Sequence, residues 1–186
     1  MKNESTPLVS IIILNYNAGN LLLECVESVL QTNYERFEII IVDNASKDNS
    51  VSICKERFKE IQIIENEKNL GYCEGNNVGI RNAKGEFITI LNPDTIVECN
   101  WLDELVNGYK TFGDGIYQPR FLTTDNHKVL QGTGNMIHLF GFGFARNKGD
   151  IDEGQFNKPE RIGYASGTCL FTSKKIIKKL DMFDSF

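Results

Sequence analysis

Apolar residues recur in two periods along this chain, and the periods alternate. "LVSIIIL" (8–14), "FEIIIVD" (37–43), "IQIIE" (61–65) and "EFITIL" (86–91) are short runs rich in β-branched residues, the pattern of strands buried on both faces. Between them the period lengthens to that of a helix. "LLLECVESVLQ" (21–31) sets Leu22, Cys25, Val26, Val29 and Leu30 on one face. "SKDNSVSICKERF" (46–58) does the same with Val51, Cys54 and Phe58, behind Ser46 or Asp48 as a cap. "GYCEGNNVGIRNAKG" (71–85) predicts a helix opened by a glycine and ended by Gly85. "NWLDELVNGY" (100–109) predicts one capped by Asn100. Strands and helices alternating at this spacing imply right-handed crossovers and a Rossmann-like, three-layer α/β/α fold with a mostly parallel central sheet.

From about Gly113 to Gly163 the periodicity dissolves into glycines, aromatics and polar residues, with no clear helix. Such a stretch inside a domain reads as a functional loop or a disordered one. "YASGTCLFT" (164–172) then predicts a strand, and "SKKIIKKL" (173–180) a helix with Ile176, Ile177 and Leu180 inward and its lysines solvated. Neither a repeat nor a linker interrupts the 186 residues, which suits one domain.

Charge and cysteine usage narrow the class. A formal net charge of −5 and a pI near 5.1 argue against a nucleic-acid binder, which carries a basic excess. Five cysteines, odd in number and without a C-x-x-C pair, indicate neither a disulfide framework nor a zinc site, so buried thiols in a reducing cytoplasm are expected. The apolar run "VSIIIL" is too short for a signal-peptide core or a membrane span. Peripheral attachment at the inner face of a membrane stays open.

Candidate chemistry gathers where strands end. Ligands of a parallel sheet bind at its carboxyl edge, and four strands here end in polar signatures, "NYN", "DNAS", "EN" and "NPD". In "LNPDT" (91–95) Pro93 has no amide for the ladder and a fixed φ, so Asp94 stands just past the strand on a stiff turn. It is a turn residue or a ligand for a metal or a phosphate. Several nucleotide chemistries are excluded. There is no G-x-x-x-x-G-K-[ST], "NYNAGN" is not a G-x-G-x-x-G turn, and "GFGFAR" (141–146) imitates one only at its start and follows no strand. His127 and His138 are isolated, and no nucleophile-elbow spacing occurs.

The ordered series "VSIIILNYN", "EIIIVDNAS", "NLGYCEGNNVGIRNAKGEFITILNPDT" and "YASGTCLF" resembles the family 2 glycosyltransferases of the GT-A fold, nearest the rhamnosyltransferase-like members that build cell-surface polysaccharides. The match runs through nearly the whole chain. It implies an inverting transfer of a sugar from a UDP-, dTDP- or GDP-linked donor to a glycan or lipid-linked acceptor. Residues 1–112 would hold the nucleotide and 113–186 face the acceptor. In those roles Asp43 would accept hydrogen bonds from the base or ribose, an Asx turn being the alternative. Asn15 and Asn17 would line the same pocket. Asn69, Gly71, Asn76 and Asn77 match the segment that closes over the donor, with helix capping the alternative for Asn69. "NPD" takes the place of the family's Asp-x-Asp motif, so the resemblance makes Asp94 the ligand of a divalent cation, Mg²⁺ or Mn²⁺, with Asn92 helping through its carbonyl or a water.

One family feature is altered. The Gly-Gly-Phe-Asp-Glu stretch reads "LDMFDSF", with Asp181 and Met182 at the glycine positions. Asp184 matches the Phe-Asp position and is a candidate base, but the acidic pair that supplies the base is expected beyond Phe186. The resemblance therefore implies a catalytic domain truncated at its carboxyl end. Two alternatives accompany it: a nucleotide-sugar-binding fragment inactive by itself, and a sugar nucleotidyltransferase, for which "NYNAGN" is the wrong loop.

Overall fold

The computed structural model describes residues 6–185. The strands of the first half form where the apolar runs lie: β1 (Val9–Asn15), β2 (Phe37–Asp43), β3 (Gln62–Glu65) and β4 (Phe87–Leu91). Between them run α1 (Asn20–Leu30), α2 (Ser50–Arg57) and α3 (Gly71–Asn82), and α4 (Trp101–Phe112) follows β4. Four short strands occupy the irregular stretch: β5 (Phe121–Leu122), β6 (Leu130–Gly132), β7 (Asn135–Ile137) and β8 (Gly143–Ala145). The chain returns to the sheet through β9 (Cys169–Ser173) and ends on α5 (Lys174–Lys179).

The central sheet has the order β3-β2-β1-β4-β9. Its first four strands are parallel, and β9 runs antiparallel to β4 at the edge. Strand alternation divides the side chains between two cores. Val9, Ile11, Ile13, Ile39, Ile41, Phe87, Leu91 and Phe171 face one side, where α1, α2 and α4 cover them with Leu22, Val26, Cys54, Leu102 and Val106. Ile12, Ile40, Val42, Ile88, Ile90 and Leu170 face the other, under Ile80 of α3 and Ile177 of α5. Handedness explains the split. The crossovers β1→β2 and β2→β3 move one way along the sheet and β3→β4 moves back past β1, so right-handed connections must put α3 opposite α1 and α2.

Helix α3 lies close against the sheet because Gly75 and Gly79, one turn apart, meet it without side chains. A Cβ on Gly79 would sit 2.4 Å from Cγ2 of Ile12, and one on Gly75 2.5 Å from Cδ1 of Leu14. Gly85 has a different role from the expected helix stop. The helix ends at Asn82 with an extended Ala83 cap, and Gly85 crosses β1 so closely that a Cβ would lie 2.6 Å from the Ser10 amide nitrogen.

Other local expectations change. Helix α2 starts at Ser50, four residues after Ser46; Asp48 accepts the Ser50 amide, while Ser46 bonds elsewhere. Asn100 precedes α4 without a side-chain capping bond. Strand β9 begins at Cys169, five residues later than expected, because a Ser166–Thr168 turn precedes it. Leu30 and Leu180 are exposed, and Ile177 is the buried residue of α5. Of the five free cysteines Cys25, Cys54 and Cys169 are buried, whereas Cys73 is half-buried and Cys99 exposed.

Candidate functional site

Register aligns the strand ends. Asn15 pairs with Asp43 across β1 and β2, and Ile13 pairs with Leu91 across β1 and β4, so Pro93 follows two residues on at the same level. With strands about 4.8 Å apart, the backbones of Asp43 and Pro93 lie about 10 Å apart on either side of β1. The ladder runs one residue past each strand: Asn44 N–H donates to Asn15 O at 2.8 Å, Asn66 N–H to Asp43 O at 2.8 Å, and Asn92 N–H to Thr168 O at 2.9 Å. This edge holds the topological switch, since β2 and β4 leave β1 in opposite directions.

Under the β1 and β2 ends lies a buried polar cluster. Asn15 Nδ2 donates to Asp43 Oδ1 at 2.7 Å, Ser50 Oγ at 3.0 Å and Ser46 Oγ at 3.1 Å. Asp43 is only 4% exposed, and its carboxylate also accepts from the Ser46 amide, at 3.0 Å to Oδ2, and from the Ser46 hydroxyl. The Asx turn anticipated as an alternative for Asp43 is thus present. Burying this carboxylate is tolerable because donors surround it. Asn15 Oδ1 is buried with no protein partner.

Two loops above the cluster are tied together. Asn17, at φ 54°, donates its amide to Ser46 Oγ at 2.9 Å and accepts the Lys47 amide on Oδ1 at 2.7 Å. Gly19 N–H reaches Asp48 Oδ2 at 2.8 Å. Partial burial pushes the Asp48 carboxyl up, but bonds from the Ser50 hydroxyl and from the Gly19 and Ser50 amides outweigh it and hold the group below its ordinary value. Asn44, buried beside Asp43, donates to Gly71 O at 3.0 Å and accepts from Asn66 Nδ2 at 2.9 Å, linking the ends of β2 and β3 to the start of α3.

The β3–α3 turn borders the same edge. Exposed Asn69 accepts the Gly71 amide at 2.8 Å, the capping arrangement foreseen as its alternative, and Gly71 takes φ 76°. Asn76 and Asn77 lie deeper in α3. Asn76 Nδ2 donates to Tyr72 O at 2.9 Å, and its Oδ1 is buried without a partner. Asn77 turns both ends of its amide to Phe183, donating to its carbonyl at 2.9 Å and accepting its N–H at 3.0 Å. The structure therefore gathers Asn15, Asn17, Asp43, Asn92 and Asp94 at the edge, with Asn69 and Gly71 beside them. Asn76 and Asn77 are not brought to the open rim.

Asp94 stands exposed on the turn after β4. Beneath it the Cys25 thiol donates to Asn92 O at 3.6 Å; burial pushes that thiol up to about 12, so it stays protonated and unreactive. Among the described residues no group of three His, Cys, Asp or Glu side chains could hold a metal ion. Asp94 is an exposed carboxylate on this turn, and the Asn92 backbone carbonyl beneath it accepts both the Cys25 thiol and the Thr95 amide, so a hard dication here would take most of its ligands from a diphosphate and water.

The C-terminal turn folds against α3. Asp181 and Met182, at positions where the resembling family has glycines, take φ 58° and 68°. Asp184 follows on this exposed turn. In the 150–160 loop Asp152 pairs with Arg120 at 3.1 Å, and Glu160 with Arg146. Residues that sequence reasoning did not assign to the site are Asn44, Ser50 and the exposed ring of Tyr16, and Ser46, expected as a helix cap, bonds into the cluster instead. For all but Ser50 the signal was the "NYN" and "DNAS" strand ends, which marked the place without showing which side chain turns inward.

Comparison with known proteins agrees with this architecture. The family model described as glycosyl transferase family 2 matches residues 10–181. Glycosyltransferase GlyG of Streptococcus pneumoniae is 40% identical over 101 residues, covering 53% of this chain and 34% of that protein. The mannosyltransferase PcManGT of Pyrobaculum calidifontis, solved with GDP-Man and Mn²⁺, superposes with a TM-score of 0.70 at 17% identity over 98% of this chain and 49% of the other. Staphylococcus aureus TarS residues 1–349, solved with UDP-GlcNAc, gives 0.63 at 16% identity, over 95% of this chain and 48% of that one. The chain thus spans about a third of the length of GlyG and about half that of the two solved chains.

Proposed function

This chain belongs to glycosyl transferase family 2 and has the GT-A fold, and from that premise we propose that it binds a nucleotide-diphosphate sugar and transfers the sugar with inversion. The observation that carries the proposal is that a buried polar cluster around Asp43 and an exposed carboxylate, Asp94, stand at one sheet edge on strands that flank β1, whose backbones lie about 10 Å apart. That separation suits the nucleoside and the diphosphate of one donor.

In this reading Asn15, Asn17 and Asp43 hold the nucleoside, and Tyr16 offers an exposed ring at the same rim. Asn69 and Gly71 close over it from the β3–α3 turn, with Asn76 and Asn77 stiffening the helix behind. Asp94, with the Asn92 carbonyl or a water, would hold Mg²⁺ or Mn²⁺, which when bound would supply neutralising charge to the departing diphosphate. Pro93 stiffens the turn, so Asp94 needs little ordering when the donor arrives.

Donor and acceptor are proposed by class. Neighbours of this fold were solved with GDP-Man and with UDP-GlcNAc, which supports a UDP- or GDP-linked sugar; a dTDP-linked sugar is carried only by the sequence resemblance. Residues 1–112 form the nucleotide side and 113–186 the acceptor side of one catalytic domain. The acceptor is a glycan or a lipid-linked sugar of a cell-surface polysaccharide, served at the cytoplasmic face of a membrane. Among the described residues no helix is long and apolar enough to cross that membrane.

Calorimetric titration of UDP, dTDP and GDP, with and without Mn²⁺, tests the site. Cation-dependent binding is expected for one of them, and Asp94→Ala should weaken it by about tenfold or more, the loss of one carboxylate on a hard dication. The melting temperature should not move, because the side chain is exposed. Equal affinity in the variant would refute the metal role.

A further inference from the structure

The antiparallel ribbon of residues 128–152 and the segment 164–168 border a small polar cavity. Along the ribbon Leu130 N–H meets Asp150 O at 2.8 Å and Arg146 N–H meets Gly134 O at 2.9 Å, and β7 pairs with β8 towards a tip at 138–142. Asn135 joins the two parts, its carbonyl accepting Gly163 N–H at 2.7 Å and Tyr164 N–H at 3.2 Å. The cavity holds about 170 Å³ and is lined by Gln118, Phe121, Gln131, Asn135, Ser166 and Thr168. Pockets for drug-sized ligands run to roughly 300–1,000 Å³, so this one has room for a single ring. Small residues keep that room open: a Cβ on Gly132 of the lining would already lie 3.4 Å from Cβ of Ala145.

The lining chemistry selects the ligand. Three side-chain amides and two hydroxyls both donate and accept, as the neighbouring hydroxyls of a sugar do. Gln131 and Asn135 have that capacity uncommitted, since neither side chain makes a hydrogen bond among the described residues. Gln118 is fixed in place, because its Oε1 accepts the Ser166 amide at 2.7 Å. The Ser166 hydroxyl donates to Thr168 Oγ1 at 3.1 Å, which orients both hydroxyls. Phe121 adds apolar surface for the C–H face of a ring. No carboxylate lines the cavity, and its one cation, Lys148, has Asp150 two residues along the chain, so no strong charge selects an anion. An apolar chain would leave the amides without partners. A neutral polyol satisfies them.

Position gives the cavity a role. Thr168 O accepts Asn92 N–H at 2.9 Å, so its edge is bonded to the turn that carries Asp94. β9 lies beyond β4 as seen from β1 and β2, which puts the cavity on the far side of that turn from the Asp43 cluster. We propose that it binds one neutral pyranose ring, the terminal sugar of the acceptor glycan, with Gln131 and Asn135 on its hydroxyls. The acceptor role rests on the transfer reading, whereas binding of the ring needs neither nucleotide nor metal.

Saturation-transfer NMR on the full chain tests it, with the methyl glycosides of glucose, galactose, mannose, rhamnose and N-acetylglucosamine and without nucleotide or metal. At least one glycoside should bind, in the millimolar range of so small a ligand. Gln131→Ala with Asn135→Ala should weaken it about tenfold or more, the loss of two neutral hydrogen bonds. Ala145→Leu, which fills the cavity, should abolish it. Gln131→Ala alone removes an exposed side chain, so it should cost about threefold in affinity with no change in melting temperature. Failure of every glycoside to bind, or unchanged binding in the double variant, would overturn the proposal. So would displacement of the glycoside by UDP, dTDP or GDP, which would put it in the donor's place. Nucleotide calorimetry keeps the two readings apart: the double variant should retain nucleotide binding while it loses the glycoside, and a parent that binds a glycoside but no nucleotide would fell the transfer reading alone.

Discussion

Before Gly113, polar side chains such as Asn15, Asp43 and Asn44 are buried and hydrogen-bonded, and most large apolar ones lie between sheet and helices, with Leu30, Ile96 and Phe112 among the exposed exceptions. Between Gly113 and Thr168 the arrangement reverses: Leu139, Phe140 and Phe142 stand in water, and short ribbons replace helices. The contrast separates two ways of building a binding surface. In the first part a rigid sheet holds a few polar groups at fixed spacing, which suits recognition of one small molecule. In the second, a ribbon joined mainly by its own hydrogen bonds leaves its tip in water and borders a cavity lined by uncommitted amides, which suits a ligand that completes their hydrogen bonding.

Four measurements would break or sharpen that contrast. The largest effect is expected at Ile41, fully buried in the core beneath α1 and α2: Ile41→Ala should destabilise by about 2–5 kcal/mol in urea unfolding. A cost below about 1 kcal/mol would mean that the first half is less tightly packed than described. Next comes Gly79→Ala. Its Cβ would meet the branched side chain of Ile12, and the stiff strand below cannot yield, so a loss of about 1–3 kcal/mol is expected despite alanine's better helix propensity.

A smaller effect, of opposite sign, is expected at the C-terminal turn. Asp181 holds φ 58° with an exposed side chain, so Asp181→Gly should relieve backbone strain and stabilise by about 0.5–1 kcal/mol, net of glycine's unfolded-state entropy. Met182→Gly should not help equally, because Met182 also packs on the α3-side core. The smallest effect belongs to the ribbon tip. Leu139→Ala should stay within about 0.5 kcal/mol of the parent, since a side chain so exposed buries little. A larger loss would show that the tip is part of a folded core.

Much of the first half was legible as one-dimensional pattern. β-Branched runs name strands wherever both faces are buried, and the place of Asp43 and Asp94 at strand ends needed only the strands themselves. The details that failed were end effects. Gly85 looked like a helix stop because glycines often are, yet its reason is a crossing over Ser10, far away in sequence. Leu180 had the right spacing to face inward, but α5 is too short to bury more than Ile177 among its residues. The ribbon of 128–152 left no periodic signal because its pairs are few and its side chains mostly exposed.

The sequence by itself determined the alternation of strand and helix, the two-sided burial of the sheet, and the polar residues at its carboxyl edge, since each depends on periodicity and local backbone preference. Tertiary structure alone decided the long-range partners. It set β9 antiparallel beside β4, closed Asn77 onto Phe183 across 106 residues, and tied Asn15, Asp43, Ser46 and Ser50 into one buried cluster. Local pattern states that a group must be buried or satisfied, and only the folded chain states by what. Many distant donors and acceptors are chemically equivalent until packing brings one of them within reach.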